Sequence, residues 1–176
     1  PHSKGYISWH QDITYWGLDH GEVCTAWVAL SPSTTESGCL RVVPGTHLSE
    51  VVPHRDTFSE KNMLSRGQEI AVEVDEDTAV DVELLPGQAS IHHVKIFHGS
   101  LPNQSDDRRI GFAIRYMTPG VKQAAGIRDS AVLVRGSDHH GNFSLVGQPA
   151  RSYAPEAIDS HARIQEERRK ILMRKL

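Results

Sequence analysis

The chain is poor in cysteine, with two in 176 residues. Two thiols cannot build the disulfide framework of a small secreted domain, so a reducing, cytoplasmic setting is expected. No stretch approaches the roughly 20 apolar residues of a membrane span, and no charged-then-apolar leader is present. A basic excess is missing too. Nineteen Lys and Arg against 22 Asp and Glu leave a net charge of −3, which gives no electrostatic case for nucleic acid. The length is one domain's worth, enough to bury roughly 70% of the unfolded surface without staples. What the chain does hold in quantity is histidine, eleven of them.

Short strand signals dominate. Glu22–Leu30, Gly38–Val43, Glu69–Val74, Val80–Leu84, Gln88–His93, Arg109–Met117 and Ala131–Arg135 are β-branched-rich, alternating or apolar runs. Pro44-Gly45 and Pro86-Gly87 mark turns between them. Seven short strands predict a mainly β fold, a sandwich or a barrel-like jelly roll. Helical signals are few. Arg55–Arg66 reads as one short helix. Pro155–Leu176 reads as a tail helix, with Pro155 in its first turn and a thin apolar stripe of Ile158, Ala162, Ile164, Ile171 and Leu172. A long loop, about His47 to Gln68, separates two strand groups, and loops of that length tend to cover a site.

In an extended segment, a His-x-Asp pair puts an imidazole and a carboxylate on one side, because side-chain direction has period two. Three His-x-acid pairs occur: His10-Gln11-Asp12, His20-Gly21-Glu22 and His54-Arg55-Asp56. Composition alone yields about 1.4 such matches, so spacing cannot choose among them. Context can. His10-Gln11-Asp12 follows a strand-like approach, Tyr6–Trp9, and opens onto an aromatic-rich loop containing Tyr15 and Trp16. His54-Arg55-Asp56 reads as a helix start with a first-turn acid, and His20-Gly21-Glu22 as a turn.

A facial metal site needs a third ligand, and His47, His92, His93, His98, His139 and His140 are all candidates. His98 sits at a strand edge in Phe97-His98-Gly99-Ser100. Arg109 follows eleven residues on, at the head of the most apolar strand. A cation entering a buried strand implies an anion partner, and the planar guanidinium suits a carboxylate. Two His, one carboxylate and open positions describe the facial triad of non-haem Fe(II) oxygenases.

These motifs resemble the phytanoyl-CoA dioxygenase family of Fe(II)/2-oxoglutarate-dependent oxygenases. The resemblance rests on WHQD at 9–12, CTAW at 24–27, SGCLRVVPGTH at 37–47 and the stretch from Leu84 to Pro119. It implies a double-stranded β-helix, or jelly roll, of the cupin-like kind: a catalytic domain over 1–150 and a tail helix over 151–176. It implies that His10, Asp12 and His98 bind Fe(II), and that Arg109 pairs with the distal carboxylate of 2-oxoglutarate. Trp27 and Ser100 would join that co-substrate pocket. Tyr15, Trp16 and Arg115 are candidates for the substrate pocket, and Arg115, six residues beyond Arg109 on the same strand face, is the alternative clamp. Asp12 implies hydroxylation, with O₂ as oxidant, because related halogenases replace this carboxylate with a small residue. His92-His93 reads as structural or as orienting a ligand. Family members carry a substantial region ahead of the His-x-Asp motif, so the resemblance also implies that an N-terminal part is missing before Pro1.

Other residues have plainer readings. His47 is expected in a turn with its ring satisfying backbone groups, and Cys24 and Cys39 as small strand residues. His139 and His140 are expected in solvent, while Arg41 either reaches the site or faces water. Two other functions fit the same sequence: a non-catalytic jelly-roll binding module, and a different cupin-type metalloenzyme, such as an isomerase or Zn enzyme. A small-molecule partner is expected. The sequence specifies neither its identity nor the oligomeric state.

Overall fold

A computed structural model of the chain describes residues 1–19 and 21–173. These form two compact units, one of residues 1–14 and 21–117, the other of residues 15–19 and 118–173.

The first unit starts with β1 (Ile7–His10), after which α1 (Ile13–Trp16) begins. Next come β2 (Val23–Ala29), β3 (Leu40–Val43), β4 (His54–Asp56), β5 (Gln68–Ile70) and β6 (Val80–Val82). Then follow β7 (Ala89–His93), β8 (Phe97–Ser100) and β9 (Gly111–Met117). They make a four-stranded sheet in the order β1-β8-β3-β6, a three-stranded sheet in the order β7-β2-β9, and the hairpin β4–β5, all antiparallel. The fold is the mainly β jelly roll, with a C-terminal helix in the second unit.

Residue chemistry explains the pairing. In β2 the alternation puts Thr25 and Trp27 on one face and Cys24, Ala26 and Val28 on the other. Thr25 stands between His92 and Arg115, and Trp27 between Ser90 and Ala113. A small core of Val43, Ile70 and Phe97, with Trp9, Val52, Val74 and Ala79 against it, holds β3, β5 and β8 together. Burying one such side chain is worth about 1.5–3 kcal/mol. Gly45, at φ 86°, makes the Pro-Gly turn and opens a short 3₁₀ turn, Thr46–Leu48.

The second unit holds a two-residue parallel pair, β10 (Ser130–Ala131) with β11 (Ser144–Leu145), and α2 (Pro155–Leu172). The Asn142 side-chain amide donates to the carbonyls of Pro119, Gly120 and Val121. On α2, Pro155 occupies the first turn, and Lys170 pairs with Glu167 at 2.9 Å. The helix expected to reach Leu176 is seen to Leu172, and 174–176 lie outside the described residues.

Three expected elements differ. Arg55–Arg66 is no helix: its first residues are strand β4, paired with β5. The buried Arg66 guanidinium bonds Asp56, and Thr57 Oγ1 donates to the Gly67 carbonyl at 2.7 Å, so hairpin contacts override the local helical propensity. Glu69–Val74 is strand only to Ile70. Of Ala131–Arg135, only Ala131 pairs, because β11 offers two residues, and Val132 and Val134 are exposed.

Candidate metal centre

β1 and β8 lie side by side with His10 opposite His98, and Asp12 follows two residues after β1 ends. This register brings together one nitrogen from each imidazole and a carboxylate oxygen, all within 4.8 Å of one another. His10 Nε2 is 3.4 Å from Asp12 Oδ1, and His98 Nε2 is 3.9 Å from Asp12 Oδ2. The two rings stand 4.1 Å apart, and both are buried.

The opposite nitrogens decide the chemistry. His10 Nδ1 lies 2.9 Å from the Ser8 carbonyl, and His98 Nδ1 lies 3.0 Å from the Ile96 carbonyl. A carbonyl only accepts, so each Nδ1 carries a proton and donates it. In a neutral imidazole Nε2 then holds a bare lone pair. Burial, with the neighbouring His10, pushes His98 down to about 3, so its ring is neutral at pH 7. Burial alone would raise the Asp12 carboxyl, but the His98 and His10 rings and the Arg115 guanidinium outweigh it and hold it at about 2. Two Nε2 atoms and a carboxylate therefore converge, with both Nδ1 atoms turned to backbone carbonyls. A His₂-carboxylate donor set of this kind suits a divalent transition metal with open positions.

Arg109 precedes β9, half-buried. Its guanidinium lies 5.4 Å from the centre of the Trp27 ring and reaches Ser100 Oγ at 3.5 Å. Among the described residues it has no carboxylate partner, so the expected anion is not supplied by the chain. Trp27 lies so close over Gly111 that a Cβ there would fall 1.9 Å from its ring. A cation of this kind, flanked by an indole and a hydroxyl, fits a carboxylate co-substrate.

The remaining predicted residues fall as follows. Arg115 stands opposite Thr25 and is exposed. Tyr15 and Trp16 end α1 and belong to the second unit, with Tyr15 buried. His92 is buried, 5.1 Å ring to ring from His98, while His93 packs on His47 at 5.7 Å. The His47 expectation needs correcting. Its Nδ1 is buried with no hydrogen-bond partner, because the ring faces His93 rather than the turn backbone. Arg41 turns from the site to Glu76 at 2.9 Å and Asp81 at 3.3 Å. His54-Arg55-Asp56 holds no such cluster, and His20 lies outside the described residues. A groove of about 420 Å³ lined by Trp9, Arg41, Arg55 and Ile70 contains none of the triad, and both its arginines are paired with acids.

Sequence reasoning missed two groups, Thr25 and Ser90, which share a strand face with His92. Thr25 Oγ1, Ser90 Oγ and His92 Nδ1 are buried without partners on the face of β7–β2 that carries Trp27. Strand parity with Trp27 was the available signal.

Known proteins place this geometry. Residues 1–111 match the family Phytanoyl-CoA dioxygenase (PhyH). A probable phytanoyl-CoA dioxygenase of Caenorhabditis elegans is 32% identical over 111 residues, 61% of this chain and 35% of its own length. The apo form of ThoJ, a non-heme monooxygenase, superposes with a TM-score of 0.84 at 39% identity, covering 97% of this chain and 62% of ThoJ. EvdO2 from Micromonospora carbonacea var. aurantiaca, complexed with 2-oxoglutarate, has a TM-score of 0.61 at 30% identity, covering 71% of this chain and 50% of its own. The chain thus spans about a third of the curated relative and under two thirds of the solved ones. With a jelly roll, a converging His₂-carboxylate triad and, eleven residues beyond the second histidine, an arginine that has no carboxylate partner among the described residues, the chain belongs to the phytanoyl-CoA dioxygenase family, whose metal and co-substrate are Fe(II) and 2-oxoglutarate.

Proposed function

We propose that the protein hydroxylates a small molecule as an Fe(II)/2-oxoglutarate-dependent dioxygenase, with His10, Asp12 and His98 as its iron ligands. The observation that carries this reading is the convergence of the Nε2 atoms of His10 and His98 on the Asp12 carboxylate, with both Nδ1 atoms held by backbone carbonyls. Bound iron, with O₂, supplies the oxidising chemistry that turns 2-oxoglutarate into succinate and CO₂ as substrate is hydroxylated.

The chain's own residues supply geometry. The Ser8 and Ile96 carbonyls hold both rings in the tautomer that presents Nε2. Arg109 takes the distal carboxylate of 2-oxoglutarate through its planar fork. The Trp27 indole backs that pair and keeps water from it, and Ser100 adds a hydroxyl donor. Arg115, on the Thr25 row, meets the substrate side. Asp12 supports hydroxylation over halogenation, because it fills the position a halide would need.

The test uses the full-length protein with Fe(II), 2-oxoglutarate and a mass-spectrometric substrate screen. Wild type should bind one iron and form succinate in a substrate-dependent way, and His10→Ala and His98→Ala should lose both. Succinate formation that survives both substitutions sinks the proposal.

A further inference from the structure

The rival pair His54-Arg55-Asp56 has a place in the structure that its motif did not suggest. Asp56 turns to Arg66. The His54 ring turns the other way, to the backbone between His10 and Asp12. The Gln11 N–H donates to His54 Nε2 at 3.0 Å, while His54 Nδ1 donates to the Val52 carbonyl at 2.8 Å. Since that carbonyl only accepts, Nε2 is free to take the Gln11 proton.

The Gln11 side chain completes a brace. It has no exposed surface and is the largest fully buried side chain among the described residues. Its Oε1 accepts from the Val52 N–H at 2.9 Å, and its Nε2 donates to the Lys95 carbonyl at 2.8 Å. The next carbonyl along, that of Ile96, is the one that orients His98. Four hydrogen bonds thus tie the His10–Asp12 turn, the approach to β4 and the turn leading into β8. None of the four uses a ligand atom.

We propose that His54 and Gln11 are positioning residues of the metal centre, locking the His10–Asp12 turn to the turn that delivers His98. The inference rests on the triad being the metal site. Without the His54 acceptor, the buried Gln11 N–H must rotate to find another partner, and its peptide carries both neighbouring ligands with it. Groups that orient ligands in this way are commonly worth 10- to 100-fold in metal affinity.

The experiment is a Co(II) titration of the full-length protein, read by the visible ligand-field bands. His54→Phe keeps ring volume and removes both nitrogens. It should raise the Co(II) dissociation constant about 10- to 100-fold and change the band intensities. Gln11→Met should act in the same direction. His54→Gln, whose amide oxygen can accept from the Gln11 N–H, should restore binding to within about threefold of wild type. Phe143→Leu, at a buried position of the second unit that takes no part in the four hydrogen bonds, should lower the melting temperature and leave the bands alone. Should His54→Phe fail to fold, His54→Asn, too short to reach Gln11, replaces it. Unchanged affinity and bands in the His54 and Gln11 variants overturn the positioning role alone, whereas a wild type that binds no Co(II) overturns the metal reading beneath it.

Discussion

Burial of His98 beside Asp12 imposes a pH dependence on the metal-free protein. Buried His98 titrates near 3 instead of 6.5, and Asp12 near 2 instead of 3.8. Both folded values lie below the unfolded ones, so the unfolded chain takes up protons first. Each group's contribution is therefore present above its ordinary value and lost as pH falls, His98 between 6.5 and about 3, Asp12 between 3.8 and about 2. One such site costs about 1.4 kcal/mol per pH unit inside its window. The urea midpoint of the metal-free protein should hold near pH 7 and fall steadily from pH 6 to pH 4. A flat profile would mean that His98 protonates as readily folded as unfolded.

At the scale of elements, the site depends on how closely β8 lies on β1 and β9 on β2. A Cβ on Gly99 would meet the Ile7 carbonyl oxygen at 2.8 Å, which is backbone and cannot swing aside. Gly99→Ala should push β8 from β1, cost about 1–3 kcal/mol, and carry His98 away from His10. Its check is a urea melt paired with Fe(II) content. Gly111→Ala would strike the Trp27 ring and shift the indole behind Arg109. Anaerobic titration should then show weaker 2-oxoglutarate binding with iron content retained, and equal loss of both would contradict the division of labour between the strands. The elements legible in the sequence were those rich in β-branched and aromatic residues. β2, β3, β7 and β9 fall within a residue or two of their expected runs, because such residues favour extended backbone, although β9 buries none of its residues. Segment 55–66 was not legible, since a buried arginine and a turn contact, each joining residues ten apart that a helix would hold on separate turns, outweigh local propensity.

At the scale of the molecule, a ligand that binds only the folded state stabilises all of it. Metal at 100 times its dissociation constant adds about 2.7 kcal/mol, or roughly 5–10 °C in melting temperature for a chain of this size. A scan with Co(II) should show that rise and lose it with chelator. Added 2-oxoglutarate should raise the temperature further only when metal is present, because its chelating oxygens need the metal while Arg109 holds only one end. An equal rise without metal would place its binding elsewhere. No described helix is long and apolar enough to cross a membrane.

The local sequence determined the donor chemistry and most strand positions. A His-x-Asp pair at a strand end, a later histidine and an arginine eleven residues beyond it are covalent facts of spacing, readable without coordinates. Choosing among three His-x-acid pairs needed context and resemblance, and only tertiary structure separates the surroundings of His10-Gln11-Asp12 from those of His54-Arg55-Asp56. Opposite β8, His10 acquires a second imidazole; in a hairpin beside Arg66, Asp56 acquires a counter-charge and leaves His54 to brace Gln11. Identical spacing takes different roles because the partner of a buried charge is set by which strands pair, and strand pairing joins residues that are far apart along the chain.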